Sequence, residues 1–183
     1  MHPALTVGVV CDYAEEGWPS MDLAAELLAA GLRDHAPGFA PTMLRPRMPR
    51  AFRRVLRGRT GLNADRLLAR HLAYPRWLRR QAPLDLYHVA DHSYAHLVHA
   101  LPAERTVVTC HDLDAFRSLL EPEREPRPAW FRRMMRPVLA GLAAAAHVVC
   151  DSDAVAAQLL THGVLPPDRV STVLLPAHPD FSA

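Results

Sequence analysis

An α/β fold is predicted, with a doubly wound, mostly parallel sheet and helices on both faces. Three apolar runs that end alike predict it. VGVVCD covers 7–12, TVVTCHD covers 106–112 and HVVCDS covers 147–152. Each is short, β-branched and unbroken, which is the pattern of a strand buried on both faces. Each stops at a cysteine followed by an ionisable residue. The segments between them carry helical periodicity, and alternating strands and helices imply right-handed βαβ units. In such sheets ligands bind beyond the carboxyl ends of the strands. Cys11-Asp12, His111-Asp112 and Asp151-Ser152 are therefore expected along one rim.

Taken in order, residues 5–11 are the first strand and Tyr13 to Pro19 a turn. A helix from Ser20, read as its N-cap, to His35 places Leu23, Leu27, Leu28 and Leu32 on one face. Pro37 and Gly38 stop it, and a second strand covers 40–44. Asn63 caps a helix to about Gln81, with Leu67, Leu68, Leu72, Trp77 and Leu78 as its apolar residues and Pro75 as a kink or break. Strands follow at 85–89 and 106–110, separated by a short helix near 94–100. The acidic, Pro-rich stretch 114–128 reads as a loop. A helix over 129–145 is interrupted or kinked at Pro137. Strand 147–150, helix 153–162 closed by Gly163, and strand 169–175 complete the pattern. PAHPDFSA then reads as a linker.

Composition narrows the classes. The 183 residues suit one α/β domain, and half are hydrophobic, enough for a sizeable core. Net charge is +2, so no strongly acidic or basic partner is implied. All 21 basic residues are arginine, and twelve fall between 45 and 80 beside a single acid, Asp65. Cys11, Cys110 and Cys150 are odd in number and lie in expected strands, which argues for a reducing compartment. No apolar run approaches the roughly 20 residues that span a bilayer. The N-terminus lacks the layout of a signal peptide. A cytoplasmic location follows, with contact at a membrane surface left open.

Four stretches carry a resemblance to a known family. They are CDYAEEGWPSMDLAAELLAAGL after the first strand, DLYHVADHSYAH, VVTCHDL, and AHVVCDSDAVAAQLLTHGVLPPDRVSTVLLPAHPDF. In this order they resemble the N-terminal domain of a retaining glycosyltransferase of family 4, with the GT-B fold. There are departures. Many relatives have paired glycines in the first loop, whereas here Gly17 stands alone between Glu16 and Trp18. The linker keeps only part of the usual Asn-Gly-Val-Asp-Phe pattern. The resemblance implies a Rossmann-like, acceptor-side domain over 1–175 and the start of an interdomain linker at 176–183. The donor domain, with most of the nucleotide site, is then absent from this chain. It further implies transfer of a sugar from a nucleotide-sugar to an acceptor hydroxyl with retention, needing no cofactor and no metal. The isolated chain is expected to be inactive.

Residue roles follow from the resemblance and from chemistry together. The His matching His111 faces the donor sugar in the family, and an imidazole at a strand end can orient a sugar hydroxyl. The alternative is a loop histidine bonded to backbone. Asp112 is expected to orient His111, bond a sugar hydroxyl or cap the next segment. Glu16, Gly17 and Trp18 form the first strand–helix loop, where backbone N–H groups favour an anion. The adjacent acids Glu15 and Glu16 instead suit sugar or acceptor hydroxyls, and an ordinary turn is the alternative. Asp91, His92 and Ser93 are expected on the acceptor side, or as loop polarity. Ser152 is expected to touch substrate or to cap the helix from 153, with capping favoured.

Zinc on Cys11, Cys110, His111 and Cys150 is disfavoured, because no CxxC pair is present and such cysteines are usually small core residues. The run 45–59 has seven arginines and no acid. It reads as a solvated loop or as a patch for anionic lipid or a phosphorylated acceptor, through Arg50, Arg53, Arg54 and Arg57. Nucleic acid is not expected, since no recognition motif accompanies the charge. The partners expected are a nucleotide-sugar donor and a glycan, lipid or small-molecule acceptor. Two other classes stay open. One is a non-catalytic binding subunit or degenerate domain working with a separate C-terminal chain. The other is an unrelated nucleotide-binding module, weakened because no GxGxxG or P-loop follows the first strand.

Overall fold

The computed structural model describes residues 3–52 and 58–174. Six parallel strands form one sheet in the order β2-β1-β3-β4-β5-β6. They are β1 Leu5–Val10, β2 Phe39–Leu44, β3 Leu86–Val89, β4 Thr106–Cys110, β5 His147–Cys150 and β6 Val170–Thr172. The order reverses at β1. The chain leaves β1 sideways to β2, crosses back to β3, and then steps outward through β4, β5 and β6. That reversal opens a crevice at the carboxyl ends of β1 and β3. The expected doubly wound, parallel α/β architecture is present.

Helix α1, Pro19–His35, lies on one face of the sheet. There Val9, Cys11 and Ala90 pack against Ala25 and Ala29, with Leu28 and Met43 at the edge. Everything else is on the other face: α2 Arg59–Leu68, α3 Tyr74–Leu78, a 3-10 helix His92–Ala100, α4 Arg117–Leu120, α5 Ala129–Ala144 and α6 Asp153–Thr161. This second face holds the main core, with Val89, Val108 and Val148 under Leu97, Leu142 and Leu159, all fully buried. The two-residue alternation of a strand sorts the cysteines. Cys11 faces α1, whereas Cys110 and Cys150, aligned across β4 and β5, face the larger core.

Several boundaries differ from expectation for identifiable reasons. α1 begins at Pro19, so Ser20 sits in its first turn rather than at its cap. Proline at a first helical position needs no N–H partner and fixes the start. The face of α1 toward the sheet is made of Ala25 and Ala29, and Leu23 is left exposed. Small residues let the helix backbone lie close to the strands.

The helix expected to be capped by Asn63 starts five residues earlier, at Arg59, with Gly58 in the cap position. Pro75 neither breaks it nor leaves a strained turn. The segment Ala69–Ala73 is π-helical, and Pro75 enters α3 at its first turn. A π turn widens the ladder where a proline supplies no donor. The buried residues of this segment are Ala69, Tyr74 and Leu78, whereas Leu67 and Leu72 are exposed.

The stretch 114–128 is not all loop. A 3-10 turn at Asp114–Phe116 leads into α4, and Leu113 and Phe116 are buried beneath it. α5 runs through Pro137 uninterrupted. Gly141 lets it pack on the 92–100 helix: a Cβ there would stand 2.0 Å from the Ala95 carbonyl oxygen. β6 ends at Thr172, three residues earlier than expected, although the Val173 N–H still donates to the Cys150 carbonyl at 2.8 Å. Arg53, Arg54 and Arg57, together with Leu175 and the expected linker 176–183, lie outside the described residues.

Candidate functional site

The crevice is built from the segments that leave each strand. After β1 come Asp12 and Tyr13, then a 3-10 turn Ala14–Glu16 closed by Gly17 in the left-handed region, φ 70°. Glycine takes that conformation at no steric cost. The N–H groups of Glu16 and Gly17 donate back to Tyr13 and Ala14 carbonyls, so they are not free for an anion. The Glu16 carboxylate is buried and doubly bonded by Arg70, through Nε at 2.8 Å and through Nη2. Arg66 donates to the Glu16 carbonyl at 2.9 Å. Glu16 thus anchors the loop onto α2 and the π turn.

Three tyrosines brace this junction. Tyr13, Tyr74 and Tyr94 are buried and mutually in ring contact, with centroids 5.1–6.4 Å apart. The Tyr74 hydroxyl donates to the Cys11 and Leu44 carbonyls, at 2.7 and 2.5 Å. It ties α3 to the ends of β1 and β2. The Arg70 guanidinium stacks over the Tyr94 ring at 4.3 Å.

After β3, Asp91 caps the 3-10 helix, accepting from the Ser93 N–H at 2.8 Å and from its hydroxyl. Asp91 and His92 are both buried. After β4, the His111 ring sits between two acceptors. Its Nδ1 is 3.0 Å from the Asp151 carboxylate and its Nε2 is 3.0 Å from the Ala90 carbonyl. Both ring nitrogens are thereby engaged, and the ring is fixed from two sides. The His111 N–H donates to His92 Nδ1 at 3.3 Å, which turns His92 Nε2 toward Asp112 at 3.6 Å. Asp112 accepts from the Asp114 N–H at 2.9 Å and so caps the next turn. Of its three expected roles, the structure shows capping, and its neighbour is His92 rather than His111.

The carboxylates differ in protonation. Burial, reinforced by the Asp91 charge beside it, pushes the Asp12 carboxyl up to about 8. Asp91 is held below the usual range: burial works against ionisation, but His92 and the two Ser93 donors outweigh it. One oxygen of Asp12 is buried with no hydrogen-bond partner. A neutral Asp12 beside an ionised Asp91 is what two carboxyls in one dry site adopt. Asp112, with the His92 imidazole beside it and the Asp114 N–H donating to it, is lowered to about 2.

A hollow of about 400 Å³ opens over this network. Six of the residues singled out in the sequence line it: Trp18, Asp91, His92, Ser93, His111 and Asp112. Glu16 lines an adjoining groove instead. The Ser152 hydroxyl caps α6, accepting from the Val155 N–H at 3.4 Å. Arg50 is exposed and lies outside both concavities. Among the described residues, no three His, Cys, Asp or Glu side chains are arranged to hold a metal. The hollow presents fixed carboxylates and imidazoles, a chemistry suited to hydroxyl groups.

Arg70, Asp12 as a neutral acid, and Asp151 as the partner of His111 were not singled out for these roles. Asp12 and Asp151 directly follow strands, so position alone marked them as candidates. Arg70 is one of twelve arginines in its region, and nothing local distinguishes it.

Comparison with known proteins fits this geometry. The model for Glycosyltransferase Family 4 matches residues 20–179. Among solved structures, LpCGTa in complex with UDP aligns at a TM-score of 0.50 with 16% identity, covering 93% of this chain and 54% of that one. The likeness is one of fold, and the chain spans about half the length of that protein. A search of curated proteins found no match. With most of the chain inside the family's pattern, the protein belongs to glycosyltransferase family 4.

Proposed function

We propose that this chain is the acceptor-side half of a retaining glycosyltransferase that moves a sugar from a nucleotide-sugar to an acceptor hydroxyl. Residues 1–175 are the N-terminal domain and 176–183 begin the linker to a donor domain. The observation that carries the reading is the coincidence of a family match over 20–179 with a hollow lined by carboxylates and imidazoles at the sheet's switch point. The acids there argue against a diphosphate on this side. The donor's phosphates are then met by the other domain, and this chain alone does not turn over. A UDP-bound structure of the same fold supports a nucleotide-sugar donor.

Within this reading, Asp91 and Asp112 accept from acceptor hydroxyls. His111, held by Asp151, faces the donor sugar once that sugar displaces the Ala90 carbonyl from Nε2. None of this needs a metal. No described helix is long and apolar enough to cross a membrane, and we place the protein in the cytoplasm.

The test is sugar transfer by this chain joined to a family donor domain, using radiolabelled nucleotide-sugars. Transfer is expected, and His111→Ala should lower kcat about 10²-fold, within the range for a lost positioning or acid–base group. Absence of transfer with every donor, or full activity in His111→Ala, contradicts the assignment.

A further inference from the structure

A second concavity, of about 340 Å³, runs between α2 and α5 and joins the hollow at Trp18, Arg70 and Ser93. Its two walls are helix faces. Asn63, Arg66, Leu67, Arg70 and His71 recur at helical spacing on one side. Trp130, Met134, Met135 and Val138 do so on the other. The wall is mostly apolar, yet it is not core: Trp130 is 67% exposed, Trp18 55% and Leu67 50%. Leu72, also exposed, flanks an adjoining depression that shares His71. A face of this kind needs a partner.

The charge around it is one-sided. α5 carries three arginines and no acid, and 58–80 carries one acid, Asp65. Arg70 is held by Glu16, whereas Arg66 makes no ion pair with a carboxylate among the described residues, and its Nε is buried without a partner. Exposed indoles with arginines are the chemistry of a membrane–water interface. Methionines give a wall that adapts to a flexible chain.

We propose that this groove seats the apolar tail of an anionic lipid, taken from a membrane surface, whose headgroup hydroxyl enters the hollow as the sugar acceptor. The proposal rests on the acceptor-side reading above. Arg66 faces the lipid's negative charge, and Trp18 stands where tail gives way to headgroup. The membrane-facing surface is then the α2–α5 rim rather than the arginine run of 45–59 alone.

The experiment is co-sedimentation of the 183-residue chain with vesicles of phosphatidylcholine alone and of phosphatidylcholine mixed with phosphatidylglycerol. Binding to the mixed vesicles is expected, with little to phosphatidylcholine alone. The double variant Trp130→Ala, Leu67→Ala should lower the partition coefficient at least about fivefold, as expected from the apolar area lost. Both residues are exposed, so the fold should survive, and circular dichroism checks this. Leu160→Ala, an exposed leucine on α6, should leave binding unchanged. No binding to mixed vesicles, equal binding to both kinds, or binding unaffected by the double variant overturns the proposal. The assay uses no sugar donor, so its outcome is independent of whether transfer occurs. Transfer confined to water-soluble acceptors, with no vesicle binding, overturns the lipid alone and leaves the transferase reading intact.

Discussion

Asp12 and Asp91 meet at the switch point of the sheet, one neutral and one ionised, and this pairing makes the molecule sensitive to pH. Asp12 has a folded value near 8 against about 4 when unfolded. A raised value means the protonated form stabilises the fold. Its contribution is complete below about pH 4 and is lost as pH rises to about 8. Asp12→Asn keeps the shape without the titration. The melting temperature of the natural chain should therefore fall between about pH 5 and about pH 8, and that of Asp12→Asn should fall less. Identical slopes contradict the pairing. On the acid side, burial holds His88 and His96 neutral, with values lowered to about 4. Their contribution is present above about pH 6.5 and lost as pH falls toward 4. His88→Gln should flatten that limb in the same melts. At this scale the sequence showed which residues stand at strand ends, because chain order fixes that. It did not show their partners. Arg70 reaches Glu16 across 54 positions, a distance only the fold closes.

The long helices were legible as helices, although α4 fell in a stretch read as loop, and their buried faces were legible only in part: Leu78 is buried, as its place in the apolar pattern suggests. Leucine periodicity pointed to Leu23 in α1 and to Leu67 and Leu72 in the helix after Gly58. The structure instead buries Ala25, Ala29 and Ala69. In α1, close approach to the sheet selects Ala25 and Ala29, and in the second helix Leu67 is left exposed to line the groove. Prolines misled for a related reason: Pro75 sits after a π turn that absorbs it, and Pro137 is carried within α5. Two glycines give opposite predictions. Gly141→Ala forces a methyl against the Ala95 carbonyl and should cost about 1–3 kcal/mol, in line with overpacking elsewhere. Gly31→Ala, in α1 with nothing within 4 Å of its Cβ, should instead stabilise by about 0.5–1 kcal/mol. Denaturant titration of both variants checks the signs. Two losses, or two gains, contradict the packing described for α1 and α5.

For the whole molecule, the sheet was readable because parallel strands buried on both faces leave unbroken β-branched runs. The order of those runs also carried the family. Readability failed where long-range partners decide the outcome, as in the tyrosine cluster joining β1, β2 and the 92–100 helix. The architecture places the polar hollow and the apolar groove on one continuous edge. It leaves no free backbone N–H groups at Glu16 and Gly17 for a diphosphate. The division of labour between two domains is therefore the central claim. Its most direct test is calorimetric titration of UDP and a panel of nucleotide-sugars into this chain, alone and joined to a donor domain. The account predicts tight binding only for the joined protein, with the chain alone weaker by at least about a hundredfold, or roughly 2.7 kcal/mol. Equal tight binding by the 183-residue chain would contradict it and mark a self-sufficient nucleotide-binding domain.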